Sequence, residues 1–297
     1  MELSQNEFDL LRKYIYELCG IALNDDKQYL IRHRLGPVAK SRDYRSFFEY
    51  YNALRNNRIP DGRDEVLNAI TTNETAFFRD KHLFDAFMKH VLPYLADAVR
   101  ARKARPAVRK GPKVRIWSAG ASTGQEPYSV AMMIHEYVAS ERPHGVSAND
   151  FGILATDVSS QVLAKGVIGE YSDMEISRGL GNNLKTKYFL ESDKGTWLIV
   201  PPVRQMVEFR YANLIEPFDM LGGFDVVFCR NVLCYFDNHT KKTIFDRMFR
   251  NLSNDGFLIV GATESVYPIT DKYAPLRIGG IQLYRKAGLA NIFPDKL

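Results

Sequence analysis

Four short stretches of this chain carry the residue types that do chemistry. The first is Val114-Arg115-Ile116-Trp117-Ser118-Ala119-Gly120-Ala121-Ser122-Thr123-Gly124-Gln125-Glu126-Pro127, an apolar strand, a turn of small residues and a helix start. Gly120 and Gly124 let a ligand approach the backbone, and the helix behind them offers free N–H groups. The stretch is neither GxGxxG nor GxxxxGK[ST], which counts against NAD and ATP. A glycine turn after a first strand still fits either a dinucleotide or S-adenosylmethionine. The second stretch, Leu154-Ala155-Thr156-Asp157, puts a carboxylate at the end of a second strand, where such folds hold ribose hydroxyls. Val158-Ser159-Ser160 follow, so Asp157 can equally be a helix cap.

The third stretch, Phe224–Phe236, places Arg230, Asn231 and Tyr235 at the carboxyl end of a further strand, with Asn213-Leu214 shortly before it. Asn231 as a turn residue and Tyr235 as core packing are the plainer alternatives. The fourth is Thr71-Thr72-Asn73-Glu74-Thr75-Ala76-Phe77-Phe78-Arg79-Asp80. On one helical stretch, the amide of Asn73, the hydroxyl of Thr75 and the guanidinium of Arg79 could face a common ligand. A surface helix start explains the same residues.

The elements that must position these residues are legible from periodicity. Residues 1–75 read as an all-helical module. Ser4 and Glu7 form a capping box, Phe8, Leu11, Ile15 and Leu18 share one face, and Gly20 stops the helix. Further helices are expected near 27–35, 44–55 and 62–71. Residues 76–112 should be a connecting helix and a basic linker, with Arg100–Pro112 exposed and without apolar period. From 113 to 290, strands at 114–118, 151–156, 224–229, 257–261 and 281–285 alternate with helices at 127–138 and 239–252, and Asp255-Gly256 marks a turn. That alternation predicts an α/β fold with a mostly parallel sheet and helices on both faces. Residues 170–212 interrupt it with short apparently antiparallel strands at 195–200 and 206–209, an expected inserted β-subdomain.

Charge and cysteine usage exclude other classes. With 40 basic and 35 acidic residues the formal charge is +5, yet residues 100–115 alone hold eight basic and no acidic residues. Elsewhere 32 basic face 35 acidic residues, which argues against a uniformly basic nucleic-acid surface. In the helical module, residues 27–45 hold six cations, among them Arg32, Arg34, Lys40 and Arg42, against Asp43 alone. This is either a solvated helix face or a docking surface for an acidic partner. Three cysteines make no disulfide framework. Cys229 and Cys234 read as buried reduced thiols rather than metal ligands, and no metal site is expected. A polar N-terminus and apolar runs far shorter than the ~20 residues of a membrane span point to a cytosolic protein without membrane insertion.

Taken together, NETAFFRD, WSAGASTGQEPYS, LATD, FDVVFCRNVLCYF and GFLIVGATES, in this order, closely resemble the CheR-type chemotaxis receptor methyltransferases over nearly the whole chain. The resemblance implies a class I S-adenosylmethionine-dependent methyltransferase fold with an N-terminal helical domain and a small inserted antiparallel β-subdomain. It implies methylation of glutamate carboxylates on the cytoplasmic methylation helices of chemoreceptors, with S-adenosylhomocysteine as product. By position it implies that Asn73, Thr75, Arg79, Gly120, Glu126, Asp157, Asn213, Leu214, Arg230 and Asn231 contact the cofactor. Tyr235 would line the methyl-transfer end, Arg230 would help position substrate, and Arg32, Arg34, Lys40 and Arg42 would register the receptor. Gln125 replaces the family's usual first glutamate, and Ala262-Thr263 stand before Glu264 where His-Ser is common, which leaves the Gly261–Ser265 turn without an assigned role. The loop around Ser192–Thr196 is short beside members that grip a receptor's C-terminal peptide, implying a tail-independent enzyme. The competing readings are a class I methyltransferase for another substrate and a non-catalytic cofactor-binding adaptor.

Overall fold

The computed structural model describes residues 1–105 and 111–288. Residues 106–110, inside the expected linker, and 289–297, which include the end of the expected 113–290 domain, lie outside the described residues. The N-terminal module consists of α1 (Gln5–Cys19), α2 (Gln28–Ser41), α3 (Phe47–Arg55) and α4 (Gly62–Ile70). The Ser4–Glu7 capping box forms, and Gly20 ends α1 in the left-handed conformation at φ 75°, its N–H bonded to the Tyr16 carbonyl. The expected face of α1 is buried: Phe8, Leu11, Ile15 and Leu18 pack with Ile31, Leu35, Phe47, Tyr50, Leu67 and Ile70 in one core.

The larger sheet has seven strands in the order β6 (Val207–Tyr211), β2 (Phe151–Asp157), β1 (Val114–Ala119), β7 (Phe224–Cys229), β8 (Leu252–Val260), β10 (Ile281–Lys286) and β9 (Tyr273–Ile278). The first five run parallel; β10 is antiparallel to both β8 and β9. Alternate residues feed two cores. Ile116, Val226, Phe228 and Ile259 meet the helices on one face, while Trp117, Val227, Cys229 and Leu258 join Ile244, Phe245 and Met248 on the other. Cover on both faces is why these strands read as continuous apolar runs.

A second sheet of β3 (Glu170–Tyr171), β5 (Trp197–Ile199) and β4 (Phe189–Glu191) is antiparallel. It is the expected insert, but smaller. Residues 206–209 were expected in it as an antiparallel strand; β6 instead extends the main sheet parallel to β2, with Phe209 packed on Tyr128. A five-residue edge strand carries too little alternation to reveal its partner. Asp255-Gly256 lies within β8 at a register irregularity rather than at a turn, and β9 is a strand that periodicity did not reveal.

The connection between the modules also differs from expectation. Residues 81–103 form one helical run with a wider π-type turn at Phe87–Val91, and its apolar side (Phe84, Val91, Leu95, Val99) covers the sheet. Arg100, Arg102 and Lys103 therefore belong to a helix, not to an exposed linker. Arg102 donates to Asp225 and to the Lys113 carbonyl, both at 2.6 Å, and Lys103 pairs with Asp150 at 2.7 Å. Asp225 and Asp150 are buried, so Arg102 and Lys103 neutralise internal acids.

Candidate functional site

The parallel strands deliver five loops to one end of the sheet. From β1 the chain proceeds outward through β2 and β6, and from β7 in the other direction to β8, so the loops after β1 and β7 part and leave a crevice. A cleft of about 940 Å³, open mouth included, lies there. Asn73, Thr75, Arg79, Gly120, Glu126, Asp157, Asn213, Leu214, Arg230, Asn231 and Tyr235 all line it. Residues far apart in sequence thus share one cavity.

Gly120 has φ 74°, and a Cβ there would stand 3.1 Å from Val232, so the turn needs glycine. Ser122, also left-handed at φ 51°, donates its N–H to Asp157 Oδ2 at 2.9 Å. Asp157 Oδ1 accepts the Ser159 N–H at 3.0 Å. The helix that follows is capped by Ser159, whose hydroxyl accepts the Val162 N–H at 3.4 Å, so Asp157 orders the loop before it and still faces the cleft. Burial pushes its carboxyl above the usual carboxylate range, although these backbone donors pull the other way.

Residues 71–80 are not the expected helix. They form an extended strap ending in two left-handed residues, Phe78 (φ 50°) and Asp80 (φ 66°). The Ser122 hydroxyl holds it through the Asn73 carbonyl at 2.7 Å, and Phe77 anchors it between Tyr171 and Phe189 of the small sheet. At the far end Arg230 takes over. Its guanidinium is 1% exposed and donates to Glu126 at 2.8 Å, to Asp80 at 2.5 Å and to the Arg79 carbonyl at 3.0 Å. The expected substrate-positioning role is thus not open to those donors. Arg230 joins the strap to the helix Gln125–Glu141, while Arg79 lies exposed at the cleft with its guanidinium donating to the Glu74 carbonyl at 3.3 Å. Glu126 Oε1 accepts the Ser118 hydroxyl at 2.8 Å.

Asn213 is also more structural than expected. Its amide donates to the Leu18 carbonyl of α1 at 2.8 Å, and its side-chain oxygen accepts the Ile215 N–H at 3.3 Å. Cys19 and Ile21, just beyond, enter the cleft wall, and a bridge between Ile21 and Phe236 fixes the loop that carries Tyr235. The helical module is therefore part of the site. Sequence reasoning had no signal for Cys19 or Ile21, because only docking brings the α1 exit to the cleft. It also missed Glu264, which accepts N–H bonds from Asn231 at 2.7 Å, Gly261 at 2.8 Å and Cys234 at 3.2 Å. This gives the Gly261–Ser265 turn its role: it braces Asn231, itself left-handed at φ 58°. The signal available was a carboxylate three residues beyond a glycine. Cys229 is buried as expected; Cys234, in the turn after β7 that Glu264 braces, is exposed rather than buried.

Of the four cations expected to dock a receptor, two are already engaged. Arg34 donates to the Ile70 and Thr71 carbonyls at 2.6 and 2.9 Å and to the Thr72 hydroxyl at 3.1 Å. Arg42 pairs with Glu65. Arg32 and Lys40 are exposed on α2.

The donor set fits S-adenosylmethionine. Asp157 offers a buried carboxylate of the kind ribose hydroxyls bond to, and Val158, Leu214 and Phe236 offer the apolar surface a purine needs, while Glu126 and Glu74 are already paired with Arg230 and Arg178. Residues 73–278 match the family model described as CheR methyltransferase, SAM binding domain, and residues 6–71 match CheR methyltransferase, all-alpha domain. Chemotaxis protein methyltransferase 1 of Pseudomonas aeruginosa is 35% identical over 285 residues, covering 96% of this chain and 99% of the relative. Chemotaxis protein methyltransferase Cher2 of Pseudomonas putida is 36% identical, covering 90% and 93%. Chemotaxis protein methyltransferase 1 of Vibrio cholerae is 35% identical, covering 95% and 98%. A helical module closing the cleft of a class I methyltransferase sheet, with both parts matched in order, means that this chain belongs to the CheR methyltransferase family and that S-adenosylmethionine is its cofactor.

Proposed function

We propose that the protein methylates glutamate side chains on the cytoplasmic methylation helices of chemoreceptors, forming glutamyl methyl esters for sensory adaptation. The observation that carries this reading is the near full-length likeness to chemotaxis protein methyltransferases of a chain whose candidate residues line one cleft. In the same reading residues 1–75 are the helical domain, 76–112 the connecting segment and 113–290 the methyltransferase domain, with the insert ending before β6. The protein works in the cytoplasm, where its three cysteines stay reduced.

When bound, S-adenosylmethionine supplies a methyl group on a positively charged sulfur that leaves as a neutral thioether. The acceptor needs no general base, because a glutamate of ordinary pKa, about 4.3, is already ionised at neutral pH. Alignment is what this chain contributes, and alignment alone can lower a barrier by roughly 7–11 kcal/mol. Asp157 holds ribose hydroxyls, while Arg79, Asn73 and Thr75 hold the amino-acid end from the strap. Glu126 and Arg230 fix the strap and helix in register, and half-buried Tyr235 orients the incoming carboxylate at the mouth. Arg32 and Lys40 steer the acidic receptor helix from the rim, which affects encounter more than affinity. A tight turn closes Ser192–Thr196, with the Ser192 N–H on the Thr196 carbonyl at 2.8 Å, which supports an enzyme that works without gripping a receptor tail.

Incubation with methyl-labelled S-adenosylmethionine and receptor tests the reading. Label on the receptor that base releases as methanol is expected. Base-stable label would mean a different substrate, and no transfer would mean a cofactor-binding adaptor.

A further inference from the structure

The strap over residues 71–80 has no ladder or helix of its own, so its position depends on the groups that bond to it. One end is held by Arg230, within the methyltransferase sheet. The other is held by Arg34, from α2 of the helical module. Its planar fork spans the carbonyl of Ile70, the last residue of α4, the Thr71 carbonyl and the Thr72 hydroxyl. The contacts continue inward. The Thr71 hydroxyl accepts the Asn73 amide at 3.2 Å, the Asn73 carbonyl accepts the Ser122 hydroxyl at 2.7 Å, and the Ser122 N–H reaches Asp157. Arg34 itself does not line the cleft. A lysine's three donors sit on one nitrogen, which could serve the two carbonyls that Arg34 Nη1 takes but not also the Thr72 hydroxyl that Nη2 reaches.

We propose that Arg34 is a positioning residue for the cofactor, acting through the strap rather than by docking the receptor. This rests on the reading that Asn73 and Thr75 contact the cofactor. Arg34 sets the height at which the strap leaves α4, and so where Asn73 and Thr75 stand against the glycine turn. It also links α2, which carries the exposed Arg32 and Lys40, to the cofactor site by one side chain.

The test is calorimetric titration of the full-length protein with S-adenosylhomocysteine, without receptor, alongside thermal melting. Arg34→Ala is expected to raise the dissociation constant about tenfold, the scale of losing hydrogen bonds to a charged group. Arg34→Lys should give a smaller rise at an unchanged melting temperature, and this variant carries the test if the alanine variant does not fold. Arg45→Ala, a charge control on an exposed residue, should match the wild type. Affinity of both Arg34 variants within about twofold of wild type, with methylation lost only through a higher receptor KM, would make Arg34 a docking residue and overturn the proposal. Thr75→Val and Asn73→Ala are measured in parallel. If neither changes affinity, the strap reading fails and the proposal falls with it, whereas a loss in these two alone rejects Arg34 and leaves the strap reading standing.

Discussion

Asp157 carries two duties in one carboxylate. Its oxygens take the Ser122 and Ser159 N–H groups, yet burial still raises its pKa, so the neutral form is easier to reach than in an exposed aspartate. Ribose hydroxyls that donate to it favour the ionised form. Cofactor binding should therefore be strongest above its raised pKa and weaken as pH falls through that value, sooner than an ordinary carboxylate would allow. Titrations across the acid range should show this slope in the wild type and lose it in Asp157→Ala, whose affinity is low at every pH. Tyr235 also lines the cleft, and in the proposed reading it serves the acceptor. Tyr235→Phe is expected to lower kcat while the calorimetric cofactor affinity stays within about twofold, the margin of a weak contact. Equal losses in both would move Tyr235 to the cofactor side.

At the scale of elements, the basic stretch is better understood as a seam than as a tether. Arg102 on the connecting helix reaches Asp225 at the start of β7, and the same carboxylate accepts the Arg115 N–H of β1 at 2.8 Å. One buried acid thus joins a helix and two strands at the end of the sheet opposite the cleft. Arg102→Met strands that acid. Breaking a buried pair from one side costs about 3–5 kcal/mol, and because Arg102 is itself about a third exposed the lower end applies. Denaturant unfolding should show that loss with cofactor affinity in the folded protein unchanged. A stability change under about 0.5 kcal/mol, the usual scale of surface substitutions, would return Arg102 to the role of solvated charge. The strap makes the opposite point: its polar residues read as helical by spacing, yet it is extended because its bonds go to Ser122, Arg34 and Arg230 rather than to its own backbone.

At the scale of the molecule, the helical module is a wall of the active site as well as a neighbour of it. Gly20 permits an approach in which any Cβ would meet Ile215 at 2.5 Å, and the Tyr16 hydroxyl donates to Asp237 at 2.7 Å across the junction. Among the described residues no helix is long and apolar enough to cross a membrane. The module's outward charge is what remains for a partner. Arg32→Glu should slow receptor methylation mainly at low ionic strength, with the difference shrinking as salt rises, because exposed charges are screened within about 10 Å at 0.1 M. A methylation rate indifferent to salt and to this substitution would leave α2 a solvated face.

The sequence by itself determined the capped first helix and the two-faced parallel strands, which rest on local spacing: a capping box and apolar runs. Its resemblance to a family, rather than spacing, supplied most of the residues that line the cleft. Only the tertiary structure decided what those residues are free to do. Arg230, Arg34, Arg42, Arg102 and Lys103 carry charges that spacing alone reads as available, and folding brings carboxylates and carbonyls to them from residues as far as 151 positions away. The same docking made Ile21 part of the cleft and β6 part of the main sheet. A side chain's charge is local information, but whether it is already paired depends on contacts that no local pattern encodes.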